Sequence, residues 1–199
     1  MRSDTGRLEQ VLARIDALNA QDPTQESVGG TATPRELAYA QRLTEWVLRL
    51  KPDASAALRI AARGQHVQRW TIPRSRYPMD RRGYLRWRET LKTFHADTVA
   101  GLMGDAGYPD EAIAQVRRLI TKKDLGRDPE TQALEDALCL IFFEAQFADL
   151  RRKAAPGTMD DALRKMWRKM SPQARALALE LPLAEAERRC LRHAVGDST

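Results

Sequence analysis

Residues 132–150 read QALEDALCLIFFEAQFADL, and apolar side chains dominate this stretch from Leu134 to Phe147. A helix that is apolar around most of its circumference is buried in a protein core. Asp128-Pro129 precedes the stretch and marks the start of a helix, because aspartate caps helices and proline suits their first turn. We therefore predict that residues 132–150 form the central helix of the fold.

The composition indicates that the elements around this helix are helices too. Leucine, alanine and arginine are abundant, β-branched runs are scarce, and charged residues make up 30% of the 199 residues. Apolar residues recur at helical spacing along most of the chain. We predict an all-α, single-domain, multi-helix bundle over residues 1–199, with an N-terminal helix and connector (1–33), a core (34–155) and C-terminal helices (156–195).

Two connecting segments carry specific signals. Residues 21–33, with Gly29-Gly30, are polar, and we expect a connector that could move over a cleft. Thr33-Pro34-Arg35-Glu36 has the pattern of a capping box, in which Glu36 would reach back to the start of the next helix. The prolines at 73 and 78 forbid a continuous helix, so we expect residues 71–79 to form a loop of fixed shape.

The charge balance narrows the range of partners. The formal net charge is +6, which suits a nucleotide, polyphosphate, RNA or an acidic protein, although a solvated basic surface explains it equally well. The two cysteines, Cys139 and Cys190, lack metal-ligand spacing and are expected to be reduced thiols. The N-terminal segment lacks an apolar signal core and no stretch is long enough to span a bilayer, so we expect a cytoplasmic protein without membrane contact. Sequence signatures of P-loops, dinucleotide folds and serine hydrolases are missing.

Arginines and aromatic residues are concentrated in residues 63–95, RGQHVQRWTIPRSRYPMDRRGYLRWRETLKTFH. Guanidinium groups bind phosphate through paired hydrogen bonds and aromatic faces stack on bases, so the mixture suits a nucleotide or a single-stranded nucleic acid. The alternative is that the aromatic rings fill the core while the arginines pair with acids such as Glu89 and Asp97. The candidate substrate-binding residues here are Arg63, Arg69, Arg74, Arg76, Tyr77 and Arg82.

Three further residues combine into a candidate metal site. Asp136 lies on the apolar face of the central helix, where a carboxylate is costly unless a cation, a metal or strong hydrogen bonds receive it. His66 and His95 lie on or near the apolar faces of two other helices. Together they suit a divalent transition metal such as Mn, Fe, Ni, Co or Zn. The alternatives are a buried Asp–Arg pair and hydrogen-bonded core histidines.

Five segments resemble an uncharacterised bacterial and fungal family known as domain of unknown function 4202. They are IDALNAQDP (15–23), PRELAYAQRLTEWV (34–47), AARGQHVQRWTIPRSRYPMDRRGYLRWRETLKTFHAD (61–97), QALEDALCLIFFE (132–144) and WRKMS (167–171). The resemblance covers nearly the whole chain, which supports a single domain.

The order of helices is also similar to that of the HD superfamily of metal-dependent phosphohydrolases. The likeness lies in residues 95–124 followed by 134–142. It implies that Asp136 is a metal ligand and that His66 is the histidine of the His-Asp doublet. Val67, however, replaces the aspartate of the doublet, and Tyr39 stands where the first histidine is expected. Lys122-Lys123 takes the place of later histidines.

Two versions of the site follow from these departures. Either His66, His95 and Asp136 form a mononuclear metal centre, or Lys122 and the arginines hold an anion in a metal-free pocket. Lys122 and Lys123 are further candidate substrate-binding residues. In both versions, Glu135 and Asp136 are the candidate catalytic residues, since a carboxylate can act as general base for water. We predict binding of a phosphorylated, nucleotide-like small molecule, with its hydrolysis left open. The alternative is a non-catalytic module that binds RNA or a protein through residues 63–88; the oligomeric state is also left open.

Overall fold

The computed structural model of the protein describes residues 4–153 and 158–196. The all-α prediction is confirmed, because helices dominate these residues and the sheet they contain has two short strands. The chain divides into two compact units, Met1–Asp124 (unit 1) and Leu125–Thr199 (unit 2). The predicted boundary between residues 155 and 156 lies outside the described residues. Within them, no helix has the length and apolar character needed to cross a membrane.

Unit 1 contains five helices and a hairpin in its described part. They are α1 (Asp4–Asn19), β1 (Gln25–Val28), β2 (Thr31–Pro34), α2 (Arg35–Leu50), α3 (Ala56–Gly64), α4 (Arg81–Asp105) and α5 (Asp110–Thr121). Their apolar faces form one core, in which Ile15, Leu43, Leu58, Val99 and Ile120 are fully buried. Gly64 lets α3 approach α4 closely, because a Cβ at this position would overlap Cγ2 of Val99.

The connector predicted at residues 21–33 is largely a β-hairpin. Strands β1 and β2 pair antiparallel, with Val28 opposite Thr31. Gly29 and Gly30 form the turn at φ +56° and +84°, a conformation that two-residue hairpins need and that glycine adopts without strain. The segment is polar as expected, but the hairpin was not predicted, because short polar strands lack an apolar alternation.

The prediction of a capping box at Thr33 was wrong. Thr33 belongs to β2, and the start of α2 has no side-chain cap from the residue that precedes it. Asp22 takes this role from a distance: its Oδ2 accepts from the Glu36 N–H at 3.1 Å, and its Oδ1 accepts from the Thr24 N–H at 2.9 Å. The carboxylate of Glu36 is therefore not engaged in capping and enters the interior.

The loop between α3 and α4 has the fixed shape expected from its prolines. It contains two 3₁₀ turns, Arg69–Thr71 and Arg74–Arg76. Arg74 holds it together by donating to the backbone carbonyls of Tyr77, Pro78 and Asp80. The loop also lies directly on the first turn of α4, where a Cβ at Gly83 would overlap the Pro78 carbonyl.

Unit 2 is built on the apolar helix predicted as central. Its described elements are α6 (Pro129–Ile141), a π-helical turn (Phe142–Gln146), α7 (Phe147–Lys153), α8 (Thr158–Lys169), α9 (Pro172–Glu180) and α10 (Glu185–Val195). Leu134, Leu140, Phe143 and Phe147 are buried as predicted. The π turn lies where Phe142, Phe143 and Phe147 pack ring against ring, 5.5–5.8 Å between centroids.

Candidate functional site

His66 lies at the centre of a cluster of polar and charged side chains in unit 1. Because α3 ends at Gly64, His66 belongs to the turn that follows, and its side chain is 20% exposed. The ring of Tyr39, from α2, stacks on the imidazole at 4.3 Å with an interplanar angle of 13°. His66 is therefore held as a wall of the site rather than packed within the core.

Glu36 approaches His66 from the first turn of α2. Its Oε2 lies 3.5 Å from His66 Nδ1 and makes no hydrogen bond within the described residues. Burial raises the pKa of Glu36 to about 7, against the lowering effect of the Arg69 charge. A carboxyl group with this pKa exchanges a proton near neutral pH, as general acids and bases do.

The neighbours of His66 determine its protonation state and which of its ring nitrogens carries the hydrogen. Arg69 Nη1 lies 3.3 Å from His66 Nε2, and since a guanidinium can only donate, Nε2 must accept. Burial and the positive charges of Arg69, Lys122 and Arg88 lower the pKa of His66 well below its usual range. His66 is therefore neutral, with its hydrogen on Nδ1 facing Glu36.

His95, on α4, is the second histidine of the cluster. Its Nδ1 lies 2.9 Å from the Val67 carbonyl, which can only accept, so Nδ1 carries the hydrogen. Burial and the neighbouring His66 lower the pKa of His95 to about 3. Its Nε2 is buried without a hydrogen-bond partner in the described residues, which leaves an unused acceptor 5.9 Å, ring to ring, from His66.

Backbone strain is concentrated around the same cluster. Gln68 (φ 50°) and Lys122 (φ 55°) are the non-glycine residues with positive φ in residues 4–153 and 158–196. Each costs about 1 kcal/mol relative to a relaxed backbone, and such strain is typical of functional sites. The Gln68 N–H donates to Oδ1 of the fully buried Asn19 at 3.2 Å, which holds the strained turn between His66 and Arg69.

Long-range contacts bring the two cations Arg69 and Lys122 to His66. The guanidinium of Arg69 lies over the Trp87 ring at 4.8 Å, and the Trp87 indole N–H donates to the Ile72 carbonyl at 2.9 Å. Lys122 ends α5, and that end is held to α3 where the Gln65 side chain donates to the Ile120 carbonyl at 3.4 Å.

The other predicted substrate-binding residues have different surroundings. Arg63 pairs with Asp16 at 3.4 Å, and Arg74 is occupied by the loop carbonyls. The groove beside the loop is lined by Arg76 and Tyr77. Arg82 and Lys123 are exposed.

Glu135 and Asp136 belong to unit 2, where both are buried. Asp136 Oδ1 accepts from Gln132 Nε2 at 3.0 Å and from the Ser171 N–H at 2.9 Å. Glu135 lies 3.5 Å from Lys169 Nζ. These contacts fix the junction of α8 and α9, and the partners of Asp136 are an amide and a backbone N–H rather than an arginine. The assignment of both acids as catalytic stays a prediction.

The metal site also stays a prediction. Across residues 4–153 and 158–196, no group of three or more histidine, cysteine, aspartate and glutamate side chains is arranged to hold a metal ion. The surroundings of His66 fit a metal poorly, because its Nε2 faces a guanidinium and its neighbours are cations.

Glu36 is the site residue that sequence reasoning missed. Its pattern was interpreted as a cap, although Glu36 lies in line with the buried Ala40, Leu43 and Val47 at helical spacing. An acid within an apolar stripe is the same signal that singled out Asp136, and it could have identified Glu36.

Comparisons with known proteins identify the family of the chain. No curated protein and no solved structure matches the chain, so the likeness to the HD superfamily stays a prediction. A family profile described as Domain of unknown function (DUF4202) matches residues 9–190. Since this match covers nearly the whole sequence, the chain belongs to the DUF4202 family.

Proposed function

We propose that unit 1 binds the phosphate group of a nucleotide-like small molecule at the His66 cluster, which comprises Glu36, Tyr39, His66, Arg69, His95 and Lys122. The observation that carries this proposal is the position of the partly exposed Arg69 guanidinium, 3.3 Å from the neutral His66. The positive charges of Lys122 and Arg88 also act on His66, because they contribute to its lowered pKa. The carboxylate facing them, Glu36, is buried and titrates near pH 7. The positive charges around His66 therefore suit an anionic ligand.

The side chains are suited to phosphate. Arg69 offers a planar fork of donors and Lys122 a compact charge, the two ways in which proteins hold phosphate oxygens. His66 and Arg69 are partly exposed, whereas the Glu36 side chain is 9% exposed. A ligand would thus enter over His66 and Arg69, with Glu36 behind them.

The same arrangement supports hydrolysis of a phosphate monoester without a metal. Water attacks the phosphorus, the P–O bond to the leaving group breaks, and the proton of the water passes to Glu36 and then to the leaving oxygen. The products are an alcohol and inorganic phosphate. Glu36 can do both steps because its pKa of about 7 lets it accept and release a proton near neutral pH. This corresponds to the metal-free version of the predicted site, with Glu36 in place of Glu135 and Asp136 as the base.

We propose the cytoplasm as the place of action. Cys139 and Cys190 form no disulfide in the described residues, and reduced cysteines suit a reducing compartment.

Titration calorimetry with inorganic phosphate and AMP tests the binding site. We expect Arg69→Gln and Lys122→Gln to weaken phosphate binding by about tenfold or more, since each removes one charge-assisted contact. Lys123→Gln is the matched control, because it removes the same charge from the adjacent, exposed residue and should change the Kd by less than about twofold. Equal effects of Lys122→Gln and Lys123→Gln, or no phosphate binding by the wild-type protein, would contradict the proposal.

The hydrolysis step has a separate test. Phosphate release from nucleoside monophosphates is measured for the wild-type protein and for Glu36→Gln in the presence of EDTA. We expect Glu36→Gln to keep phosphate binding and to lose phosphate release by about 100-fold or more, the range for a general base. Release that is unchanged in Glu36→Gln, or that stops with EDTA, would rule out the metal-free mechanism.

A further inference from the structure

A second surface of unit 1 has the properties of a binding site. A groove of about 750 Å³ lies between the loop before α4 and α4 itself, lined among others by Arg76, Tyr77, Arg86, Thr90, Phe94 and Asp97. Arg86, Thr90, Thr93 and Asp97 recur at steps of three to four residues along α4, so they share one helix face. His95 is about half a turn away from that face, because each residue advances the helix by about 100°. The groove is therefore separate from the His66 cluster.

The wall of the groove is held by contacts within the protein. Arg74 binds three carbonyls of the loop, and Trp87 of α4 donates to the carbonyl of Ile72. A groove whose wall is fixed in advance loses little conformational entropy when a ligand binds.

The charges in the groove are unbalanced. Its two acids are engaged, since Glu89 pairs with Lys92 at 3.0 Å and Asp97 pairs with Arg117. Arg76 and Arg86 line the same groove, and Arg82 lies one turn before Arg86 on the same helix face. In the described part of the chain, the side chains of these three arginines have neither an ion pair nor a hydrogen bond. Three positive charges thus remain at one end of a groove that also offers aromatic side chains.

We infer that this groove binds single-stranded nucleic acid. Arg76, Arg82 and Arg86 would contact successive phosphates, and Tyr77 and Phe94 would provide surfaces on which bases stack. Nucleic acid is favoured over an acidic protein because guanidinium forks match phosphate oxygens and aromatic side chains stack on any base. This inference is independent of the phosphate site at His66, since it uses other residues on another face of α4.

Fluorescence anisotropy with a labelled oligouridine of twelve nucleotides tests the inference on the full-length protein. Each phosphate contact to a single strand contributes about −0.7 to the slope of log K against log salt. Three contacts give a slope of about −2, so we expect affinity to fall about 20-fold between 50 and 200 mM salt. No binding at 50 mM salt, or a flat salt response, would overturn the inference.

Three variants and one competitor distinguish specific binding in the groove from a general effect of charge. Replacing Arg76, Arg82 and Arg86 together by glutamine should weaken binding by about 20-fold or more and flatten the salt response. The matched control replaces Lys165, Arg168 and Arg189 in unit 2 by glutamine; these side chains are likewise exposed and unpaired in the described residues, and we expect less than about a twofold effect. Tyr77→Leu should weaken binding by about fivefold or more at an unchanged salt slope, because it removes stacking and no charge. Equal losses in the two triple variants, or equal competition by polyglutamate, would overturn the inference.

Discussion

The surroundings of Glu36 determine the pKa of its carboxyl group. An exposed glutamate is ionised at neutral pH, but Glu36 is 7% exposed and desolvation raises its pKa to about 7. Burying the charged carboxylate is unfavourable, and this free-energy penalty disappears when the group is protonated. Such a cost is commonly tolerated where a residue takes part in chemistry.

This cost predicts a pH-dependent stability. The folded protein binds a proton at Glu36 more tightly than the unfolded chain does, so the contribution of Glu36 to the free energy of unfolding falls as pH rises from about 4.5 to about 7. Fully developed, the penalty is about 3 kcal/mol. Glu36→Gln removes it, and we expect the variant to gain about 3 kcal/mol over the wild-type protein between pH 4.5 and pH 8.

Urea unfolding of both proteins at the two pH values measures this gain. His95 contributes in the opposite direction, because its lowered pKa makes stability rise between about pH 3 and pH 6.5. That contribution is common to both proteins and cancels in the comparison. Glu45→Gln, at an exposed position of the same helix, is the control. An equal gain in Glu45→Gln, or none in Glu36→Gln, would show that burial of Glu36 does not raise its pKa.

The residues of the candidate site lie at or near the ends of helices. His66 follows α3, Lys122 ends α5, and Glu36 lies in the first turn of α2. Lys122, at one of these ends, and Gln68, in the turn after His66, have left-handed backbone, and a glycine would be the stable choice at such positions. We interpret the lysine at position 122 as a functional side chain retained at some cost in stability.

Lys122→Gly tests this trade-off. We expect the free energy of unfolding to rise by about 1 kcal/mol, because glycine relieves the left-handed strain, and phosphate binding to weaken by about tenfold or more. Urea unfolding and calorimetry measure the two effects on one sample. Lys123→Gly serves as the control, because φ is not positive at that residue and glycine should give no gain there. A destabilised Lys122→Gly would mean that contacts of the lysine outweigh the strain.

The proposed phosphate site uses residues of unit 1 alone. Asp136, which the metal prediction requires, is engaged in unit 2 by Gln132 and Ser171. The metal-free version of the site therefore involves no residue of unit 2.

Chelation and one conservative variant separate the two versions. We expect phosphate affinity to stay within about twofold of its starting value after dialysis against EDTA and in Asp136→Asn, since neither touches the cations that hold the anion. Asparagine keeps an oxygen acceptor for Gln132 and Ser171, so the fold of unit 2 should be preserved. Calorimetry with inorganic phosphate, together with metal analysis of the purified protein, gives the answer. Loss of binding in either sample would favour the metal centre of His66, His95 and Asp136.

Local sequence was sufficient for the helices and several of their ends. The cap at Asp128, the fixed loop after α3 and the buried core of residues 134–147 follow from spacing and side-chain chemistry over a few residues. The hairpin at β1 and β2 was missed because short polar strands have no apolar period to detect.

The site itself was decided by contacts between residues far apart in sequence. Asn19 holds Gln68, Asp22 holds Glu36, and Gln65 holds the end of α5, and these pairs are 49, 14 and 55 residues apart. The sequence determined that His66 and His95 are partly or fully enclosed and that the chain is all-α. The tautomer of His66, the raised pKa of Glu36 and the backbone strain at Lys122 depend on the tertiary structure. Burial and neighbouring charges act through space, so they produce no periodic pattern in the sequence.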